Sequence, residues 1–245
     1  MIPQIRKVLT KSNSDTLPEW TTAIRFATYS LDPRRFFPLI QLVSENLQSV
    51  SSSTSPASQS KVIMFLKAIL IEISWRSPEF NIRSLSTLIK MVPGNYKQVC
   101  QAIGECISVI YVNLWKPGDV NVALQSFVDL FVDNLRREIS NSQQQQSKQV
   151  ASHQFATTLL HWLNHSYSQG FSHSVDNYLR KLFDLVFLMQ EINDEDIKRQ
   201  SISICALISQ SFVSQRNFPA LIQQLELVNK SANWHIRSAV LPFLQ

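Results

Sequence analysis

Glycine is scarce in this sequence, with 4 residues in 245 against an average usage of ~7%. That scarcity argues against sheet-rich folds with many tight turns and against glycine-lined phosphate sites. No Gly-x-Gly-x-x-Gly, Gly-Lys-Ser/Thr or Gly-x-Ser-x-Gly pattern occurs, which removes the common nucleotide-binding and hydrolase signatures. Cysteine is also rare. Cys100, Cys106 and Cys205 are odd in number and lie in apolar runs, as expected of buried free thiols in a reducing compartment. No run of 18 apolar residues exists, so no membrane-spanning helix is expected. Met1 to Lys11 has bases but no apolar core, so no secretory signal is expected. These features point to an intracellular protein and do not decide between nucleus and cytoplasm. The formal charge is +5, yet the bases are scattered in ones and twos. Arg34–Arg35, Arg136–Arg137 and Lys198–Arg199 are the densest spots. Direct nucleic-acid binding, which calls for a patch or stripe, is not expected.

Hydrophobic residues make up 44%, ample for a sizeable core. Their spacing is helical nearly throughout. Thr16-Leu17-Pro18-Glu19 has the form of a capping box, followed by Trp20, Ile24 and Ala27. Asp32-Pro33 opens a second helix, with a kink or late start at Pro38. Val62 to Ile73 is apolar on more than one face, as for a helix buried between neighbours. Further helices are expected over 78–92, 96–115, 120–139, 153–167, 174–191, 194–213, 218–228 and 233–245. No strand is convincing. Two polar loops, at about 49–60 (serine-rich) and 141–149 (glutamine-rich), interrupt a single helical-repeat domain spanning 1–245.

A short pattern recurs in this series. Asp194 precedes Ile197 by three residues and Lys198 follows it; Asn233, Ile236 and Arg237 repeat the arrangement. The polar residue can cap a helix, the isoleucine is the first buried residue, and the base faces the edge of the stack. Glu79, Ile82 and Arg83 form a third copy, Asp119 and Val122 a weaker fourth, and Ser152 and Phe155 a poor fifth. The anchors at 82, 122, 155, 197 and 236 are separated by 40, 33, 42 and 39 residues, against ~40–47 for HEAT and armadillo repeats. An all-α solenoid of HEAT/armadillo-like helical hairpins is therefore expected, about five or six of them; a generic helical domain with helices of similar length is the alternative.

Nothing in the order of residues assembles an active site. His161 and His165 stand at i and i+4, flanked by His153 and His173, but zinc needs three or four ligands and a second shell, and Trp162-Leu163-Asn164 includes no catalytic glutamate. Asp194-Glu195-Asp196 sits at a helix start, where negative charge suits the macrodipole. No catalytic residue, metal or cofactor is expected, and the protein is not read as an enzyme. The candidate interface residues are Trp234, His235 and Arg237. A tryptophan opening a repeat helix suits a binding hot spot, although packing against Leu225 and Val228 would equally account for it.

Ser231 to Gln245 resembles a late repeat of the large HEAT-repeat proteasome activators, the family of proteasome activator subunit 4, best at Trp234, Arg237, Leu241 and Leu244. The resemblance implies a non-ATPase cap on the 20S proteasome core particle that promotes ATP-independent protein degradation. It also implies a fragment from near the carboxyl-terminal region of such a protein. Family members open the gate with a tail carrying a penultimate tyrosine, whereas this sequence ends Phe243-Leu244-Gln245, so gate opening by this stretch alone is not expected. Other protein partners fit the alternative, an unrelated HEAT-repeat scaffold or transport adaptor.

Overall fold

The computed structural model describes residues 56–73, 78–116, 121–144, 153–211, 217–231, 234–238 and 240–244, with Thr22, Glu45 and Gln215 as single positions. They form nine α-helices: α1 Pro56–Ile73, α2 Pro78–Met91, α3 Lys97–Leu114, α4 Val122–Gln144, α5 Gln154–Ser168, α6 Ser172–Leu188, α7 Glu195–Ser209, α8 Phe218–Asn229 and α9 Trp234–Ser238. Two 3-10 turns, Met189–Glu191 and Leu241–Leu244, complete them. The described residues include no strand. The helices expected around Trp20 and Leu39 lie outside the described residues.

The helices sort into two layers by parity. α1, α3, α5 and α7 touch one another in that order, and α2, α4, α6 and α8 do the same. This is an α-solenoid, in which each hairpin adds one helix to each layer. The cause lies in the width of the apolar stripes. α1 buries Val62, Ile63, Phe65, Leu66, Ile69 and Leu70, too wide a face for a single neighbour. On α6 the expected stripe of Tyr178, Leu182, Leu185 and Val186 is buried, while Arg180 and Lys181 face solvent. Each fully buried aliphatic or aromatic side chain contributes ~1.5–3 kcal/mol.

The tightest joint is α3 against α5. A Cβ on Gly104 would lie 2.5 Å from the Thr158 carbonyl oxygen and 2.8 Å from the Trp162 nitrogen, so only glycine fits there. One turn further, the Ser108 and Ser166 hydroxyls meet at 2.8 Å, both fully buried. An aromatic cluster then joins the layers. Tyr111 of α3 lies 4.6 Å from Trp162 of α5 and 5.3 Å from Tyr178 of α6, centroid to centroid. Phe131 of α4 packs edge-on to Trp162 at 5.9 Å. The Tyr111 hydroxyl, buried among them, donates to the Leu124 carbonyl at 2.9 Å.

Helix ends follow local chemistry. The Asp194 carboxylate accepts from Asp196 N at 2.9 Å and Ile197 N at 3.2 Å, the cap its spacing predicts. α5 closes in a Schellman motif: Phe171 N donates to Ser166 O at 2.6 Å and Gly170 N to Tyr167 O at 3.3 Å. Gly170 takes the left-handed φ of 74° that this motif requires.

Several expectations need correction. Asn121 caps α4, its Oδ1 accepting from Ala123 N at 3.0 Å; Asp119 lies outside the described residues, as does Asn233. Val122 is 78% exposed, so it is not a first buried residue, because the stripe of α4 begins at Leu124. Glu79 lies inside the first turn of α2 rather than before it. The serine-rich stretch is helical from Pro56, and α4 runs on to Gln144. Both gains are single turns of polar residues continuing a helix already formed. The expected helix over 233–245 is broken into α9 and a 3-10 turn, because Pro242 has no N–H and disfavours helical geometry at Leu241.

The short 33-residue step also has a physical cause. Anchors 82 and 122 lie on α2 and α4, in the even layer, whereas 155, 197 and 236 lie on α5, α7 and α9. The series changes layer between α4 and α5, so one step spans a single helix instead of a hairpin.

Candidate functional site

Most polar groups that suggested chemistry are committed to structure, whereas the buried His161 Nε2 has no hydrogen-bond partner. His161 and His165 sit on α5, half-buried, and burial pushes both below the ordinary imidazole value. His165 Nδ1 lies 3.1 Å from the Ser108 hydroxyl. No group of three or more His, Cys, Asp or Glu among the described residues is arranged to hold a metal ion. The three cysteines are buried and free. Burial raises Cys100 to about 11 and Cys205 to about 12, and lifts Cys106 further. They are therefore protonated thiols and poor nucleophiles. Of the acidic run, Asp194 caps α7 and Glu195 pairs with Lys198 at 2.8 Å. Asp196 pairs with Lys97 at 2.8 Å and with Arg199, and the hydrogen bond from Lys97 holds it below the usual carboxylate value.

Trp234, His235 and Arg237 share the short helix α9. Its inward residue Ile236 is buried, as is Val240 beyond it. Phe243 then reaches α6, 5.8 Å from Phe183 and 6.4 Å from Phe187. This anchoring turns the other side outward. Trp234 is 62% exposed and Leu241 60%, so Trp234 does not bury against Leu225 and Val228. The Arg237 guanidinium donates to the Ser231 carbonyl at 2.6 Å, fixing the approach to α9. On the adjoining α8, Phe218, Ile222 and Leu227 are exposed as well. Between α6 and α8 lies a shallow pocket of about 130 Å³, floored by Leu179, Phe183 and Leu221 and edged by Arg180 and Asp184. The arrangement offers apolar and aromatic contact area with a polar edge and, among the described residues, no reactive group.

One residue that sequence reasoning missed is Glu138. Its carboxylate accepts from Phe155 N at 2.9 Å and Ala156 N at 3.0 Å, closing the N-terminus of α5 from α4. The signal was present: Glu138 continues the spacing of Phe131 and Leu135 on the buried stripe.

Fold and surface together define a helical-repeat protein. No family model matches the sequence. Curated proteins do match it, and along its whole length rather than in the last fifteen residues alone. The chain is 26% identical over 265 aligned residues to proteasome activator complex subunit 4A of Danio rerio. It is 25% identical to proteasome activator complex subunit 4 of Bos taurus and 24% identical to that of Homo sapiens. Each alignment covers 100% of this chain and 14% of the relative. The chain is thus similar throughout to proteasome activator subunit 4 while spanning about a seventh of it.

Proposed function

We propose that this chain is a non-enzymatic helical-repeat module of a proteasome activator, one that contributes to a cap on the 20S core particle and promotes ATP-independent protein degradation in nucleus and cytoplasm. The similarity along the entire chain to proteins named as activator subunits carries this reading. The fold agrees with it, since a solenoid presents long surfaces to a partner and needs no cofactor. The 245 residues act as one domain, and Trp234, His235 and Arg237, all on α9, serve as contact residues.

The test is a pulldown probing for core-particle subunits, with the tagged 245-residue chain and, in parallel, the chain extended by its downstream sequence. Recovery of the core by either form supports the activator reading. In the form that binds, Trp234→Ala is expected to weaken capture by about thirtyfold, the loss of a hot spot of ~2 kcal/mol. Failure of both forms would leave an unrelated scaffold or transport adaptor as the better account.

A further inference from the structure

α8 differs from α6 in how little of itself it hides. α6, which lies between α4 and α8, buries Val175, Leu179, Leu182, Phe183 and Val186 on a broad face. Of the 12 residues of α8, only Leu221 and Val228 are buried. Yet α8 is not a polar helix. Glu226 is its one charged residue, and Phe218, Ile222 and Leu227 are exposed at 55%, 40% and 57%. A helix that is apolar on several faces ordinarily lies between neighbours. We propose that α8 is the seat of a further even-layer helix, amphipathic like α6 and carried by a hairpin that follows Gln245 in a longer polypeptide. The inference rests on the reading of this chain as a module of a large activator.

The orientation of α8 is fixed by its joint with α6. At its start the Asn217 side chain donates to the Asp176 carbonyl of α6. Ala220, Leu221, Gln223 and Gln224 line the pocket shared with α6, which identifies the side turned toward that helix. Phe218 and Ile222, at i and i+4, come round to the opposite side, with half-buried Leu225 beside them. That side is where parity places the next element. α6 follows α4 and α8 follows α6 in one row, so a further hairpin sets its even helix beyond α8. The occupant must carry apolar residues at i, i+3 or i+4 and i+7, to lie along Phe218, Ile222 and Leu225. The relatives have the length to supply one, since the alignments cover 100% of this chain and 14% of each of them.

The experiment compares hydrogen exchange of the α8 amides in the 245-residue chain and in the chain extended by the ~80–90 residues encoded after Gln245, the length of two repeats, with no core particle present. Exchange over Ile222 to Asn229 is expected to slow by about tenfold or more in the extended chain. Ile222→Lys should abolish that slowing and lower the thermal midpoint of the extended chain, while leaving that of the 245-residue chain unchanged. Unchanged exchange on extension would overturn the proposal, as would a gene that ends at Gln245. Protection that rises with the concentration of the shorter chain would overturn it too, since a second copy would then cover this face. Should the variant not fold, the wild-type comparison decides the matter alone. An extended chain that captures the core particle with α8 unprotected refutes the seat alone; one that protects α8 without capturing the core refutes the activator reading alone.

Discussion

Gly104 marks the place where two helices of one layer come closest. The atoms a Cβ would strike belong to the backbone of α5, so relief requires the helices to separate. Alanine normally favours a helix over glycine by ~1 kcal/mol. Gly104→Ala is nevertheless expected to lower the unfolding free energy by about 1–3 kcal/mol, the usual cost of overpacking, read from urea denaturation. A gain in stability would mean that α3 and α5 have slack between them. Sequence pattern places Gly104 inside the 96–115 helix but says nothing of what lies opposite, because Thr158 and Trp162 come into register only once α5 stacks on α3. Ser108 and Ser166 are hidden for the same reason: each looks like an ordinary polar residue until the other is beside it.

At the scale of elements, α4 and α6 are joined in the even layer by two surface ion pairs, Lys181 with Asp129 and Arg136 with Asp184, the latter at 3.1 Å. All four side chains remain between 30% and 56% exposed, so water and salt screen them. Double-mutant cycles are expected to give below ~1 kcal/mol for each pair, shrinking as ionic strength rises toward ~1 M. A coupling that is larger and salt-insensitive would show a drier interface than this one. The elements themselves were largely legible. Apolar spacing located α1 to α8, and the Asp194 cap fell where its pattern predicts. The misplacements have local causes: Val122 precedes the stripe it was meant to begin, and Pro242 interrupts the last helix. The slip of the repeat between α4 and α5 was visible only as a short step, since one-dimensional spacing counts helices without saying which layer each enters. The outward side of α9 was half legible, because a tryptophan at a helix start suits burial and exposure equally until Ile236 and Phe243 fix its orientation.

For the whole molecule, three half-buried histidines set the acid side of stability. Burial is the first cause that lowers His153, His161 and His165 from the ordinary 6.5. Each is held neutral in the fold, so its contribution is fully present above 6.5 and lost as pH falls through its lowered value. Thermal midpoints are therefore expected to drop on acidification below 6.5. A flat acid profile would mean that the three rings are solvated.

The parity of the two layers has a kinetic consequence. Most cross-links within it bridge similar stretches of chain: 38 residues for Lys67–Glu105, 43 for Asn113–Leu70, 48 for Arg136–Asp184 and 58 for Ser108–Ser166. Loop-closure entropy grows only with the logarithm of length, so each added hairpin meets nearly the same barrier as the one before. A chain emerging from the ribosome can complete its core one hairpin at a time, each new pair docking on a finished surface, without waiting for its far end to be made.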